Sequence, residues 1–357
     1  MDALNFLDIR EYKREIDLIA EQLDVSNKTF LVTGANGLIG SVIVDVLIEG
    51  NRRHKLDNTI IATGRNAHKL EVRFPYTDED FKLLVYDVNN SINDSLKIDY
   101  IIHTASNADP KSYASKPTET LLTNIIGTKN ILDYCKFHIN CRCLLMSTFE
   151  VYGKIEGKRE YKEEDLGVLD FNRLRSCYPE SKRAMEIMAH CYHEEYGVDY
   201  VVGRLCSIYG PTMSPKDSKA HAQFFRKALA HEDIVLKSKG EQVRSYSYVM
   251  DAASALLKIL LSGKSGECYN VSNEKAITSI YNLAHLIANK CNLNVVLEMP
   301  TELEAKGYSR PQDIILDNKK LRSLNWNAIY NLDDGINYTL SIIHYLNNSK
   351  QQTKSKI

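Results

Sequence analysis

Two residues spaced four apart could exchange a proton with a bound molecule. Tyr178 and Lys182 lie in the stretch YPESK, and residues four apart share one face of a helix. A tyrosine has an ordinary pKa of about 10, and a nearby ammonium lowers that pKa toward a range in which the phenol can trade a proton with a hydroxyl group. Earlier in the chain, STFEVYG sets Thr148, Phe149 and Glu150 at the end of the apolar strand CLLMS. Together the two stretches predict a catalytic edge.

A further stretch has glycines at the spacing GxxGxxG. Gly34, Gly37 and Gly40 form a glycine-rich turn between the apolar strand FLVT and a helical pattern. Glycines here let the backbone approach a pyrophosphate, which then lies at the helix N-terminus. The turn therefore predicts a dinucleotide site.

The end of the next strand bears on which dinucleotide binds. An Asp or Glu there would bond the ribose 2′-hydroxyl of NAD, but the strand ends ATGRN and carries Arg65 instead. A guanidinium matches a 2′-phosphate, so NADP(H) is the favoured cofactor and NAD is the alternative. The other interpretation is that Arg65 lies exposed over the adenine. Asp87, which closes FKLLVYD, is placed to accept from the adenine amino group or to cap the following turn.

The elements that must position these residues alternate along the chain. Apolar strands at NTIIATG, FKLLVYD, DYIIHTA, CRCLLMS and VDYVVGRL are mostly separated by helical patterns such as ETLLTNIIGTKNILDYCKF. This alternation predicts an α/β fold with a doubly wound parallel (Rossmann) sheet. After about residue 210 the pattern loosens into short pieces, which predicts a smaller C-terminal α/β substrate lobe.

Four segments follow from these patterns. Residues 1–27 are expected to form a helical extension and 28–205 the NAD(P)-binding domain, which also receives part of 240–272. Residues 206–347 are mainly the substrate-binding lobe, and the polar residues 348–357 are expected to fray.

Composition argues against several classes of function. The formal net charge is -1, so nothing favours a nucleic-acid partner. The eight cysteines are scattered without metal-ligand spacing, so no metal site is predicted, and this usage is typical of a reduced, cytoplasmic protein. No apolar run approaches the length of a membrane span, and the acidic N-terminus does not indicate a signal peptide.

The motifs also follow a known order over most of the chain. They are TGANGLIG, IIHTAS, LLTNIIGTKNIL, STFEVYG, YPESK, IYGP, VRSYSYVMD, CYNVSN and RPQDIILDNKKLRSLNW. In this order they resemble the extended short-chain dehydrogenase/reductase family, which contains NAD(P)-dependent NDP-sugar epimerases, dehydratases and reductases. The resemblance implies a nucleotide-sugar substrate and a homodimer built through the helices that carry Asn124 and Tyr178.

The resemblance implies roles for the catalytic and cofactor-binding residues. Tyr178 would be the general acid or base, Lys182 would hold the nicotinamide ribose and tune Tyr178, and Thr148 would hydrogen-bond the reacting sugar oxygen. The implied cofactor contacts are Gly34, Asn36, Gly37, Leu38, Ile39, Gly40, Arg65, Asp87, Val88, Ala105, Asn124 and Lys182.

The resemblance also implies a substrate side of the site. Arg244 and Arg310 fall where the family grips the diphosphate, which guanidinium groups bind bidentately; the alternative is ordinary surface charge. Ser207 stands before the IYGP stretch, where the family often has Asn. Ser207 therefore departs from the family pattern at a position where the resemblance implies a contact with the substrate.

The residues after Thr148 bear on the reaction. In the sugar 4,6-dehydratases of the family an Asp and a Glu follow the Thr, and they protonate the departing 6-hydroxyl and remove a ring proton, respectively. Here Glu150 is kept, but Phe149 cannot donate a proton, which disfavours full dehydration. The UDP-glucuronate decarboxylases of the family have Ser at this position, so Phe149 departs from that pattern too. Glu150 is open to three interpretations: a base for epimerisation, a substrate-hydroxyl contact, or a polar residue at a strand end.

Arg65 and Phe149 together favour NADPH-dependent reduction of an NDP(dTDP)-4-keto-6-deoxyhexose, which would supply a surface polysaccharide such as lipopolysaccharide or capsule. The alternatives are an NDP-sugar epimerase and a UDP-glucuronate decarboxylase or dehydratase with tightly bound NAD. A remote alternative is a non-catalytic NADP-binding protein, which would be expected to have lost part of the set Thr148, Tyr178 and Lys182.

Overall fold

A computed structural model describes residues 5–301 and 312–354, with side chains described to residue 349. Its strands, in chain order, are β1 (Thr29–Thr33), β2 (Thr59–Gly64), β3 (Phe81–Val85), β4 (Tyr100–His103), β5 (Arg142–Thr148), β6 (Glu160–Tyr161), β7 (Asp199–Leu205), β8 (Ser207–Tyr209), β9 (Ile234–Leu236), β10 (Val243–Tyr248), β11 (Cys268–Val271), β12 (Ile277–Ser279), β13 (Val295–Leu297) and β14 (Ile315–Leu316).

The helices have clear local signals at several of their ends. They are α1 (Arg10–Ala20), α2 (Leu38–His54), α3 (Ala67–Arg73), α4 (Pro110–Ser115), α5 (Pro117–Phe137), α6 (Cys177–Tyr196), α7 (Ala220–Leu229), α8 (Val249–Ser262), α9 (Ile280–Lys290), α10 (Lys319–Arg322) and α11 (Leu332–Lys354). Asn66 caps α3 by accepting a hydrogen bond from the Lys69 amide. Gly197 ends α6 at a φ of 71°, a left-handed conformation that glycine adopts without strain.

The order of the central strands reverses next to β1. Within the described residues, seven parallel strands lie in the order β11-β7-β5-β4-β1-β2-β3. The chain moves outward from β1 to β3 and then returns to β4 on the other side of β1. Sheets of this kind bind ligands at the carboxyl ends of the strands beside such a reversal. The predicted doubly wound parallel sheet is confirmed.

Helices cover both faces of this sheet. Helix α2 packs against α1 and α8 as well as against β1 and β2, and its residues from Gly40 to Gly50 are buried. The other face carries α5 and α6, which pack on each other. Strands enclosed on both sides need no polar face, which explains the continuous apolar runs at β4 and β5.

The chain after β7 builds the smaller part of the fold. Strands β8, β10 and β12 form a three-stranded sheet, and β9 pairs with β13. The chain then rejoins the main sheet through α8, which packs on α2, and through β11, which pairs with β7. Both elements lie within residues 240–272. The division into four segments stays a prediction.

The C-terminal helix ends near the end of the described residues. Helix α11 runs to Lys354, and the fraying expected of residues 348–357 stays a prediction. Lys and Gln are good helix formers, so this polar stretch can continue a helix that is already anchored by apolar residues such as Ile336 and Ile342.

Two kinds of feature are missing from residues 5–301 and 312–354. None of their helices combines the length and apolar character needed to cross a bilayer. They also hold no group of three or more His, Cys, Asp or Glu side chains able to bind a metal ion.

Candidate active site

The glycine turn between β1 and α2 leaves no room for side chains. Gly34 has a φ of +62°, and a methyl group on it would lie 2.8 Å from the Ala105 Cα. A methyl group on Gly40 would lie 2.8 Å from the Thr104 hydroxyl. Gly37 is the N-cap of α2, so no side chain screens the first amides of that helix. These residues fit the pyrophosphate of a dinucleotide.

The other residues of the turn link it to neighbouring parts of the fold. The Leu38 carbonyl accepts a hydrogen bond of 2.7 Å from the Thr212 hydroxyl, which connects the turn to the chain beyond β8. The Asn36 side chain lies close to Gly64 at the end of β2. Ile39 packs against the buried core. The predicted cofactor contacts of Asn36, Leu38 and Ile39 stay predictions.

The residues predicted to lie along the adenosine have contacts of their own. Arg65 Nη1 lies 3.5 Å from Glu119 Oε1, and the Arg65 side chain is 57% exposed. The Asp87 carboxylate accepts a hydrogen bond of 3.0 Å from the Asn89 amide. This bond is the one expected if Asp87 caps the turn that follows it. Val88 is buried. This geometry is compatible with either interpretation of Arg65.

Asn124 joins the loop after β4 to the first turn of α6. Its Oδ1 accepts from the Ser106 hydroxyl at 2.7 Å, and its Nδ2 donates to the Ser181 hydroxyl at 2.8 Å. Ser181 in turn donates to the Tyr178 carbonyl at 2.7 Å. The chain of bonds fixes Tyr178 relative to the carboxyl end of β4, and the predicted cofactor contact of Asn124 stays a prediction.

The structure brings Thr148 and Tyr178 together. Thr148 ends β5 and Tyr178 lies in the first turn of α6, and the Thr148 side chain is close enough to Tyr178 to act on its pKa. The Tyr178 ring stacks on Tyr113 with centroids 4.6 Å apart. Burial raises the Tyr178 pKa above its usual value, the Glu150 carboxylate raises it further, and the nearby Thr148 side chain opposes the rise.

Lys182 lies one helical turn beyond Tyr178 and is buried. Its ammonium donates to the Met146 carbonyl at 2.8 Å. Burial lowers the Lys182 pKa to about 8, with the Glu186 carboxylate opposing the shift. His103 lies nearby at the end of β4, and burial together with the Lys182 charge lowers its pKa to about 3. His103 is therefore neutral, and Lys182 is the cation on this side of the site.

Glu150 is part of a two-pronged ion pair. Arg175 Nη1 lies 2.5 Å from Glu150 Oε2, and Nη2 lies 2.8 Å from Oε1. The side chains of Arg175 and Glu150 are only 13% and 14% exposed. The guanidinium also lies 5.5 Å from the centre of the Tyr113 ring. Glu150 is thus a fixed carboxylate beside Tyr178, and the three interpretations of its role stay open.

The substrate-side residues lie beyond Glu150. The Arg244 guanidinium is 5.6 Å from the centre of the Phe149 ring. Phe149, Ser207 and Arg244 line one shallow depression, so the structure brings these three together. Their roles toward substrate stay predictions, and Arg310 lies outside the described residues.

Sequence reasoning missed Arg175 and Tyr113. Arg175 stands three residues before Tyr178, and a cation so close to a proposed proton-transfer residue was a usable signal. Tyr113 lies on the short helix α4 in the segment DPKSYASKP, which follows the carboxyl end of β4, where such sheets place binding residues. Neither signal identifies the partner that each residue contacts.

Comparison with known proteins places the chain in a family. Residues 30–272 match the model of the NAD dependent epimerase/dehydratase family. The chain belongs to this family. UDP-glucuronic acid decarboxylase 1 of Xenopus tropicalis is 33% identical over 319 residues, which cover 89% of this chain and 72% of that protein. UDP-glucuronic acid decarboxylase 5 of Arabidopsis thaliana is 30% identical over 313 residues, which cover 87% and 88%.

A solved structure shares the fold of this family member. It is the UDP-glucuronic acid 4-epimerase of Bacillus cereus in complex with UDP-glucuronic acid and NAD, with a TM-score of 0.74 at 22% identity over 89% of this chain and 99% of that chain. The family predicted from the motifs is confirmed. The match is to an NAD dependent family, and the NADP preference predicted from Arg65 receives no support from it.

Proposed function

We propose that the protein is an NAD-dependent decarboxylase that acts on UDP-glucuronic acid. The observation that carries this proposal is the Glu150 carboxylate, which Arg175 holds beside Thr148 and Tyr178. Decarboxylation leaves a ring carbon that must gain a proton, so it needs an acid/base step besides the one at Tyr178. Reduction of a keto sugar needs no such group. Similarity to UDP-glucuronic acid decarboxylases over most of the chain supports the same choice.

The side chains have separate tasks in the proposed reaction. Tyr178 takes the proton of the C4 hydroxyl while Thr148 hydrogen-bonds that oxygen, and Lys182 holds the nicotinamide ribose. Bound NAD would supply the oxidant at C4 and return the hydride at the end. A C4 ketone lies β to the C6 carboxylate, so the C5–C6 bond can break with its electron pair delocalised toward the C4 oxygen, and CO2 leaves. C5 then gains a proton, which Glu150 can relay from water.

Phenylalanine at position 149 suits this chemistry better than it suits 4,6-dehydration. A departing 6-hydroxyl needs a proton donor, which Phe149 cannot be, whereas a departing CO2 needs none. The Phe149 ring lies within 5.6 Å of the Arg244 guanidinium and adds apolar surface on the sugar side. Apolar surroundings disfavour a carboxylate relative to neutral CO2. This argument supports loss of a carboxyl group over loss of water.

The proposed cofactor is NAD rather than NADP. The family that the chain matches is described as NAD dependent. Arg65, on which the NADP prediction rests, is more than half exposed and already lies 3.5 Å from the Glu119 carboxylate. A carboxylate at that position disfavours a 2′-phosphate. The pairing therefore weakens the argument from Arg65 for NADP.

Arg65 and the departure of Phe149 from the decarboxylase pattern favour a second candidate, NADPH-dependent reduction of an NDP-4-keto-6-deoxyhexose for a surface polysaccharide. That reaction would use Thr148, Tyr178 and Lys182, but it would leave the buried Glu150–Arg175 pair without a task. We therefore rank it below decarboxylation. An NDP-sugar epimerase would use the same tyrosine and tightly bound NAD. The nucleotide sugar that is formed distinguishes it from the decarboxylase.

We also infer a cytoplasmic homodimer that pairs through α5 and α6. The outer faces of these helices carry large exposed apolar side chains at Leu122, Phe137 and Ile187. Such surface is typical of an interface between subunits. The scattered free cysteines are compatible with a reducing compartment.

The test uses the purified protein and UDP-glucuronic acid labelled with ¹³C at C6. We expect nicotinamide released on denaturation to be NAD, and we expect the label to appear as bicarbonate while the nucleotide sugar becomes a UDP-pentose by NMR. A labelled UDP-hexuronate of changed stereochemistry would instead indicate an epimerase. Oxidation of added NADPH only with a 4-keto sugar nucleotide would indicate the reductase.

Tyr178→Phe tests the catalytic assignment in the same assay. We expect at least about a 100-fold lower kcat, because general acid–base catalysis typically contributes about 10²- to 10⁴-fold. The matched control is Tyr192→Phe on the same helix, which loses only a hydrogen bond to Asp133 and should stay near wild-type activity. Equal turnover by Tyr178→Phe and wild type would contradict the assignment.

A further inference from the structure

The Arg175–Glu150 pair has a geometry that fixes both side chains. Two parallel N–H to oxygen bonds of 2.5 and 2.8 Å join the planar guanidinium to the planar carboxylate, which is the strongest arrangement for such a pair. The Glu150 amide also donates to the Thr148 hydroxyl at 3.3 Å. Glu150 is therefore bonded through its backbone to Thr148, whose side chain acts on the Tyr178 pKa.

The charges of Arg175 and Glu150 affect the ionisation of Tyr178. The charged and titratable groups that face Tyr178 are Glu150 from the turn after β5, Arg175 from the turn before α6 and Tyr113 from α4, with Lys182 one turn farther along α6. Burial and the Glu150 charge disfavour the phenolate, whereas Arg175 favours it. A lone carboxylate here would hinder the proton transfer that Tyr178 has to perform.

We propose that Arg175 is a positioning residue that holds the Glu150 carboxylate in one orientation beside Tyr178 and offsets its charge there. Glu150 can then relay a proton to the sugar ring without suppressing the ionisation of the neighbouring Tyr178. The task given to Glu150 rests on the proposed decarboxylation, but the charge offset at Tyr178 applies to any C4 oxidation that this site performs.

A purely structural interpretation makes different predictions. If Arg175 only braces the turn before α6, its removal lowers stability and activity regardless of whether Glu150 is charged. If it acts through Glu150, its removal matters much less when the side chain at position 150 is already neutral. The two interpretations are separated by a double-mutant cycle and by the pH dependence of turnover.

The experiment compares wild type with Arg175→Gln, Glu150→Gln and the double variant, and measures kcat and KM from pH 6 to 10. We expect Arg175→Gln to lower kcat at pH 7 by about ten-fold or more and to move the acidic limb of the kcat profile upward by about one pH unit. In the double variant both charges are gone, so the limb should lie near its wild-type position, between those of the two single variants. Arg175→Lys, which keeps the charge but not the fork, should keep the limb near wild type while recovering only part of kcat.

Two results would overturn the proposal. One is an unmoved acidic limb in Arg175→Gln, and the other is an equal kcat loss from Arg175→Gln whether it is introduced into the wild type or into the Glu150→Gln variant. Each variant is compared with wild type on whichever nucleotide sugar the wild type turns over. Failure of UDP-glucuronic acid as substrate would therefore contradict the proposed function and leave the test of Arg175 intact.

Discussion

At the scale of single residues, position 34 requires glycine for two separate reasons. Its φ of +62° is strained for other residues, and a methyl group would lie 2.8 and 2.9 Å from the Cα and N of Ala105. We expect Gly34→Ala to lose about 1–2 kcal/mol of unfolding free energy from backbone strain alone. The displaced Ala105 loop should also lower NAD affinity by about ten-fold or more, since it forms one wall of the turn.

Gly157→Ala is the matched control for Gly34→Ala. Gly157 has a similar φ of +70°, but nothing lies within 4 Å of the added methyl group. It should show the strain without the loss of NAD binding. Thermal unfolding and NAD titration of both variants measure the difference. Equal losses of NAD affinity in the two variants would contradict the proposed role of the glycine turn in binding the pyrophosphate.

The candidate site was only partly predictable at this scale. Thr148, Tyr178 and Lys182 could be recognised because a strand end and one helix face fix their spacing. The contacts of Glu150 with Arg175 and of Tyr178 with Tyr113 join residues that are 25 and 65 positions apart along the chain. Local spacing carries no information on such contacts, because they depend on how α4 and the turn before α6 pack at the sheet edge.

At the scale of elements, the alternation of strands and helices was predictable for β1 to β5 and for β7. Each of these strands carries an apolar run, and helical patterns separate most of the runs; the runs are buried except in β3, whose side chains from Lys82 to Val85 are exposed. The lobe strands are only two to six residues long, too short to produce a clear period. The strand order around β1 also could not be obtained from the pattern, although the right-handed crossover rule limits the choices.

Helix α1 is attached to the main body through a buried carboxylate on α2. Asp45 accepts hydrogen bonds from Tyr12 at 2.6 Å and from Tyr76 at 2.7 Å, and it pairs with Arg73. We expect Asp45→Ala to lower the unfolding free energy by about 3–5 kcal/mol, because it leaves the Arg73 charge buried without its counter-charge. Tyr12→Phe removes the hydrogen bond donated to Asp45 and the weaker one accepted from Arg73 at 3.3 Å, but it keeps the ion pair and should lose only about 1–2 kcal/mol.

Urea unfolding followed by the fluorescence of Trp326, which is buried, measures both changes. The comparison separates the ion pair from the packing of α1, since Tyr12→Phe keeps the aromatic ring. A loss below about 1 kcal/mol in Asp45→Ala would mean that Arg73 finds another partner or reaches water.

At the scale of the whole molecule, Glu15 connects the N-terminal helix to the body of the protein. Its Oε2 accepts a hydrogen bond of 2.7 Å from the Tyr248 hydroxyl at the end of β10. Its Oε1 is buried and has no hydrogen-bond partner among residues 5–301 and 312–354. Burial raises the Glu15 pKa to about 8; Tyr248 and Arg14 oppose this, while Glu11 and Asp251 add to it. The contact therefore makes overall stability depend on pH.

The sign of that dependence follows from proton binding. Between its ordinary pKa of 4.5 and the raised value of about 8, Glu15 is protonated when folded and ionised when unfolded. The folded state then binds more protons, so stability is full below the lower value and falls as pH rises through this window.

Glu15→Gln, which resembles the protonated acid, should therefore match wild type near pH 5. Near pH 8.5 it should be more stable by about 2 kcal/mol or more. Urea unfolding of both proteins at several pH values measures the gap. Glu71→Gln, at an exposed position of α3, is the control and should keep the pH dependence of the wild type. A gap between Glu15→Gln and wild type that stayed constant with pH would mean that Glu15 is ionised in the folded protein, with water reaching its second oxygen.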